Sequence, residues 1–173
     1  EEARKKWEAT KTHVWSDGGP ILRLADGRWR IYLNGFGQKL AAIESDTLAG
    51  PWKFLRDEKG SIRELLPDLP TGGVWANVLR LDEQNWQLWL TDTYPPQAIW
   101  HYRSKDGLAW TRFGRQPEIT RAVVGQRPIK CLRTYYDAGR KEIVGLLSVW
   151  EARPGGGKCW RPYVSRMPAN RQP

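Results

Sequence analysis

Two histidines, two cysteines, one methionine and three phenylalanines in 173 residues leave this chain little material for metal or thiol chemistry. A structural zinc site takes about four cysteine, histidine or carboxylate ligands at close spacing. Cys131 and Cys159 lie 28 residues apart with no Cys-x-x-Cys, and His13 and His101 are the only histidines, so no metal or other cofactor is expected. The cysteine pair leaves two readings open, one disulfide or two buried free thiols. No Gly-x-Ser-x-Gly elbow, phosphate-binding loop or dinucleotide fingerprint occurs, and Gly155-Gly156-Gly157 after Pro154 reads as a hairpin loop. Long apolar runs are also missing. The best stretch, Ile143 to Trp150, is broken by a glycine and a serine and falls far short of the ~20 residues of a spanning helix. Nothing from Glu1 to Lys11 resembles a signal peptide, being rich in charge; a mature secreted chain would read the same.

What is present is an ordinary globular balance, 40% hydrophobic and 27% charged, at a length that suits one domain over residues 1–173. Eleven tryptophans and 17 glycines stand out. Tryptophan offers a broad apolar face with one N–H donor, suited to strand-rich cores and equally to stacking against sugars or bases. The formal charge of +9 favours polyanions. The cations are nevertheless scattered, with Arg4-Lys5-Lys6 the only run, so the basic stripe of a nucleic-acid binder is not seen and nucleic acid is the weaker partner reading.

An internal repeat organises the chain. Residues Ile21 to Leu33 align without a gap to Val78 to Leu90 at an offset of 57, keeping Leu22/Leu79, Arg23/Arg80, Leu24/Leu81, Trp29/Trp86 and Leu33/Leu90. Downstream, Ala42 to Trp52 matches Tyr102 to Trp110, each a strand ending in serine, then a turn, then tryptophan. A third, degenerate copy runs from Pro128 through the turn Asp137-Ala-Gly-Arg-Lys141 to Glu142–Ser148 and a strand near Trp160 to Ser165. Each copy alternates apolar and polar residues between Asp/Gly turns, which predicts antiparallel meanders of four strands. The expected fold is all-β and propeller-like, with about three blades near residues 14–56, 72–115 and 119–168. Trp29 and Trp86 occupy the same place in two copies and read as packing residues between blades; Trp52 and Trp110 close equivalent turns. Helix is expected only at Ser61 to Leu66 and over Glu1 to Thr10, with Trp7 inward.

The segments Gly19 to Leu33, Ala41 to Trp52 and Ser104 to Trp110 resemble the blades of five-bladed propeller glycoside hydrolases, the family 43 arabinanases and xylosidases and their invertase and levansucrase relatives. The resemblance covers residues ~14 to 150 and concerns architecture more than activity. Three blades are fewer than such a ring, which implies a portion of a longer propeller, association of chains, or a compact derivative capped in another way. It also leans toward a secreted or periplasmic setting, with a glycan or oligosaccharide as partner.

The resemblance implies carboxylates at the start of the innermost strands: a base or nucleophile, an orienting aspartate and a glutamate acid. Two such groups are physically needed, one to protonate the leaving oxygen and one to activate water or attack the sugar. Asp17, in Trp15-Ser-Asp-Gly-Gly-Pro20, fits the first place and is the candidate for catalysis. Asn77 stands in the second, where an amide can position a hydroxyl without carrying charge. Gln126 and Arg127 stand in the third, and glutamine cannot donate a proton as a general acid. Asp92 and Glu44 are the carboxylates that would have to substitute. Trp15, Trp75, Asn77, Asp92, Tyr94, Gln126 and Arg127 would then form a sugar-contacting mouth, rings against C–H faces and polar groups against hydroxyls. Arg127 suits a sugar carboxylate, or else an ion pair with Asp17 or Asp92. The expectation is a carbohydrate-active protein, closer to glycan binding than to hydrolysis. The competing expectation is a basic interaction module for protein, nucleic acid or another polyanion.

Overall fold

The computed structural model describes residues 15–35, 40–66, 74–91 and 98–170. The predicted N-terminal helix with Trp7, together with His13, Asp92 and Tyr94, falls outside these residues. The chain divides into two compact units, residues 1–73 and 74–173.

The first unit holds one antiparallel meander, β1 (Trp15–Arg23), β2 (Trp29–Gly35), β3 (Leu40–Ser45) and β4 (Lys53–Phe54), in sequence order. In the second unit β5 (Val74–Arg80), β6 (Trp86–Thr91), β7 (Ala98–Ser104) and β8 (Thr111–Arg112) repeat that meander, and β9 (Ile119–Thr120) adds a fifth strand on β7. A single-turn 3₁₀ helix, Arg121–Val124, leads into the third sheet, β10 (Ile129–Asp137), β11 (Glu142–Ala152) and β12 (Lys158–Pro168). This is the all-β, blade-like architecture that the repeat predicts. The third sheet differs from the four-strand expectation, having three longer strands instead.

The repeat is visible in the ladder itself. Trp29 opens β2 opposite Arg23 and Ser45, and Trp86 opens β6 opposite Arg80 and Ser104. Each ring lies under its neighbour's guanidinium, Arg23 at 5.8 Å and Arg80 at 5.4 Å from the ring centroid. The preceding hairpins close alike, Leu24 N donating to Arg28 O and Leu81 N to Asn85 O. Ser45 and Ser104 turn the chain by accepting backbone N–H bonds two residues on, from Thr47 and Asp106. Trp52 and Trp110 then precede the short strands β4 and β8, in the same relation to both meanders.

The second unit's core lies between its two sheets, where Trp89 and Ile99 meet Ile129, Leu132, Leu147 and Val149, all 5% exposed or less. At about 1.5–3 kcal/mol for each such side chain removed from water, this cluster is the main force joining the sheets. Register fixes which face of sheet three does the work. Ile143, Leu147 and Val149 alternate on β11 and face the core with Met167 of β12, so the intervening Leu146, Trp150, Trp160 and Val164 share the opposite, more open face.

One local expectation is corrected, and of the two readings of the cysteine pair the free one holds. Ser61 to Leu66 is not helical: Ile62 bridges Arg56, and Arg63 N and Leu65 N donate to Leu55 O and Leu40 O. The backbone is drawn out along sheet one because Leu65, only 4% exposed, buries there. Cys131 and Cys159 are both free. They sit on β10 and β12 with β11 between them, so strand spacing alone sets them at least about 9.5 Å apart, beyond the ~7 Å Cα limit of a disulfide. Among the described residues no helix is long and apolar enough to cross a membrane.

Candidate functional site

The inner strands β5 and β10 run side by side and bring their first residues together. Asn77 Nδ2 donates to Thr134 Oγ1 at 2.6 Å, Arg133 Nη1 donates to Ala76 O at 3.3 Å, and Thr91 Oγ1 donates to Lys130 O at 3.1 Å. Lys130 lies over the Trp75 ring at 5.2 Å and over Trp160 at 5.8 Å, and Trp160 packs on Trp150 with centroids 4.8 Å apart. One ammonium thus joins rings from two strands, and Trp150 adds a third through Trp160. Asn77, expected at the mouth, is buried at 5% exposure and spends its amide on Thr134.

Backbone conformation marks the same end. Trp75 and Gln126 have φ of 55° and 63°, and the one other described non-glycine residue with positive φ is Lys141, in a hairpin turn. For a bulky residue such as Trp75 this is costly, about 1–3 kcal/mol, and it persists only where the surroundings fix it. Val74 to Asn77 contains a register shift against β6, which re-aims the start of β5. Gln126 is held from outside: Gly125 ends the 3₁₀ turn in the left-handed region, and Arg121 Nε donates to Gln126 O at 3.1 Å.

Arg127 anchors the loop before β10 and reaches sheet three. Its Nε donates to Val124 O, and its Nη1 donates to Glu151 Oε1 and, at 2.9 Å, to Tyr163 OH. Tyr163 OH donates in turn to Glu151 Oε1, while Arg161 Nε lies 3.4 Å from Oε2. Glu151 is therefore the acidic partner of Arg127 among the described residues, and the alternative pairing with Asp17 or Asp92 falls on side chains outside them. The physical reason is register: Val149 of β11 pairs with Ile129 at the start of β10, so the end of β11 stands beside the preceding loop. Glu151, Tyr163, Lys130 and Trp160 are the members of this end that sequence reasoning missed. The Gly155 to Gly157 hairpin was the available signal, since it sets Glu151 opposite Cys159 and folds the Trp160 strand back onto Trp150. The Arg153 side chain, followed by that of Arg161, holds the nearby Cys159 thiol below its ordinary pKa.

Asp17 and Trp15 belong to the first strand of the first unit, and register shifts interrupt the pairing from Ser16 to Ile21. Glu44 is not a free acid. It is 8% exposed and bound by Arg28 and by Arg30, whose Nε donates to Oε1 at 2.7 Å. His101 is a packed residue, stacked on Trp89 at 4.6 Å, with Nδ1 3.5 Å from Glu118 Oε2. Two open clefts lie at the far ends of the first two sheets. One, of about 360 Å³, is bordered by Arg28, Ser45 and Lys53; the other, of about 820 Å³, is bordered by Asn85, Ser104 and Thr111. They are repeat-equivalent products of the same turn, away from the starts of the inner strands.

Comparison with known proteins locates the fold. An N-acetylgalactosamine deacetylase from F. plautii, solved with blood group B trisaccharide, superposes with a TM-score of 0.59 at 14% identity over 87% of this chain and 49% of that one. An alpha-L-arabinofuranosidase from Podospora anserina, solved with cellotriose, gives 0.55 at 11% identity over 89% and 47%. A family 43 glycoside hydrolase from Bacillus licheniformis gives 0.53 at 14% identity over 95% and 40%. No family model and no curated protein matches the sequence. The chain spans less than half the length of these three structures. It shares its blade fold with carbohydrate-active enzymes, family 43 glycoside hydrolases among them.

Proposed function

We propose that this protein binds glycans through the end of its second unit where Trp75, Lys130, Trp150 and Trp160 meet, and that hydrolysis by the family's usual pair of acids is lost or degenerate. The single observation that carries the reading is that cluster: aromatic rings from three strands at the start of the inner strands, with Trp75 held in a strained backbone. Sugars offer C–H faces to such rings and hydroxyls to the amide and guanidinium groups nearby. The second carboxylate is what the arrangement lacks among the described residues. Glu151 is the acid at this end, and its oxygens are engaged by Arg127, Arg161 and Tyr163. Neither an unpaired proton donor nor a water-activating partner at a glycosidase separation is offered there.

The test is a panel of oligosaccharides assayed for binding and for hydrolysis. Binding should be detected, and Trp75→Ala should weaken it about tenfold, the loss expected when one well-stacked ring is removed. Turnover of any aryl glycoside or polysaccharide that collapses in Asp17→Asn would instead establish an enzyme with Asp17 as its acid.

A further inference from the structure

The formal charge of the chain is unevenly divided. Residues 1–73 carry 12 Lys and Arg against 11 Asp and Glu, a net of +1, and residues 74–173 carry 16 against 8, a net of +8. Part of that excess gathers at one end of sheet three, where Arg127, Lys130, Arg153, Lys158 and Arg161 stand with one described carboxylate, Glu151, which shares its face of the sheet with Arg161. Glu151 is already shared between Arg127 and Arg161. Lys130 and Lys158 stand beside the exposed aromatic face. Lys158 and Trp160 are two residues apart on β12 and so share a face, with Trp150 opposite Trp160, and Lys130 approaches the Trp160 ring from β10. Trp160 is 42% exposed.

We infer that the ligand of this end is an acidic glycan, one whose sugars carry carboxylates. The inference rests on the glycan-binding reading and adds the charge of the ligand to it. A sugar ring stacked on Trp160 has the Lys130 ammonium 5.8 Å from the indole centroid and Lys158 on the same strand face two residues along, about 7 Å away by Cα spacing. A carboxylate on that ring, or on the next sugar, therefore meets a cation. Arg153 and Arg161 stand on the other face, beside Cys159 and Glu151, so the two lysines are the cations of this rim. Charge complementarity of this kind fixes partner choice more than raw affinity. A nucleic acid fits less well, because the two lysines sit at one hairpin end and leave no continuous track for phosphates.

The experiment is a titration of the full chain with oligogalacturonate and with the same oligomer methyl-esterified, which keeps the rings and removes the charge. The acidic form should bind about tenfold or more tightly than the ester, the size of a charge-assisted contact. Lys158→Gln, an exposed position that leaves folding untouched, should cost about threefold for the acidic oligomer and nothing for the ester. Trp160→Ala should weaken both. Equal binding of acid and ester overturns the inference and leaves the glycan reading standing, whereas binding of neither, nor of any neutral oligosaccharide, overturns both. Poly(U) or dextran sulfate binding more tightly than oligogalacturonate also overturns it, in favour of a general polyanion surface.

Discussion

Sheets one and two are copies of one meander, and the contrast between them separates frame from filling. The frame is shared: tryptophan beneath arginine at the start of the second strand, and serine turning the chain at the end of the third. The filling between them is not. Where sheet one pairs Arg30 with Glu44 across β2 and β3, sheet two pairs Gln87 with Arg103 at the same rungs. Arg30 and Glu44 form a buried ion pair, with Arg30 also donating to Tyr32 OH. Burial opposes the charge on Arg30, but Tyr32 and Glu44 outweigh it and raise the guanidinium pKa further. In sheet two Gln87 is neutral and buried, bonded to Asn85 and to the Ala169 carbonyl, while Arg103 stacks over Phe113 at 4.0 Å. The same backbone thus accepts a salt bridge or an amide and a cation–π contact at one place. What the meander requires is the ladder and its turns.

The largest test of the shared frame is truncation of its two tryptophans. Trp86 is 3% exposed, so Trp86→Ala should cost about 3–5 kcal/mol, the usual range for deleting a buried indole. Trp29 is only half-buried, and Trp29→Ala should cost clearly less. Urea denaturation of both variants measures the pair. Equal losses would mean that the two positions are not distinguished by burial and that the frame, not the environment, sets the energy.

The filling should respond asymmetrically. Glu44→Gln leaves Arg30 buried without its counter-charge and should destabilise by about 3 kcal/mol, the low end for a broken buried pair, because Arg28, the acid's other partner, is half exposed. Gln87→Ala removes two long amide contacts of 3.4 Å and should cost less, about 1–2 kcal/mol. A loss at Gln87 as large as that at Glu44 would show that the sheet-two rung is equally committed.

These contrasts also explain what was legible in the sequence. The repeat could be read because Leu22, Arg23, Leu24 and Trp29 return unchanged at positions that the frame constrains, so strands, turns and the equivalence of Trp29 with Trp86 followed directly. The third sheet departed from expectation because its strands are longer and its motif degenerate, which hid the absence of a fourth strand among the described residues. The candidate residues at the start of the inner strands, Trp75, Asn77, Gln126 and Arg127, came from the alignment of the copies. Glu151, Lys130 and Trp160 were missed because each depends on register between strands that lie far apart in sequence: Val149 beside Ile129, and Trp160 beside Trp150. Composition concealed the charge pattern for a similar reason. Cations scattered along the chain converge only when the β11–β12 hairpin folds back.

The smallest expected effect lies in the turns after Ser45 and Ser104. In sheet one the turn closes with a hydroxyl, Thr47 Oγ1 donating to Gly50 O at 2.9 Å. In sheet two it closes with a carboxylate: Asp106 Oδ1 accepts from Leu108 N at 2.8 Å, Ala109 N at 2.9 Å and Ser104 Oγ at 2.8 Å. Partial burial pushes the Asp106 carboxyl up, but the Ala109 and Leu108 amides and the Ser104 hydroxyl outweigh it and hold its pKa below the ordinary aspartate value. A carboxyl whose pKa is lower in the folded chain than in the unfolded one stabilises the fold at pH values above the unfolded value, about 3.9, and that contribution disappears as pH falls through the folded value. Asp106→Asn should therefore cost about 0.5–1.5 kcal/mol near neutral pH, discounted toward the lower figure because the group is largely exposed to screening solvent. Thermal unfolding of the protein and the variant, from neutral pH down to about pH 2, should show the two curves converging in acid. In sheet one Thr47→Val should open a gap that does not change with pH, since no titrating group closes that turn. A constant gap for Asp106→Asn would mean that the amide fails for geometric reasons and that the charge on Asp106 contributes nothing to holding the turn.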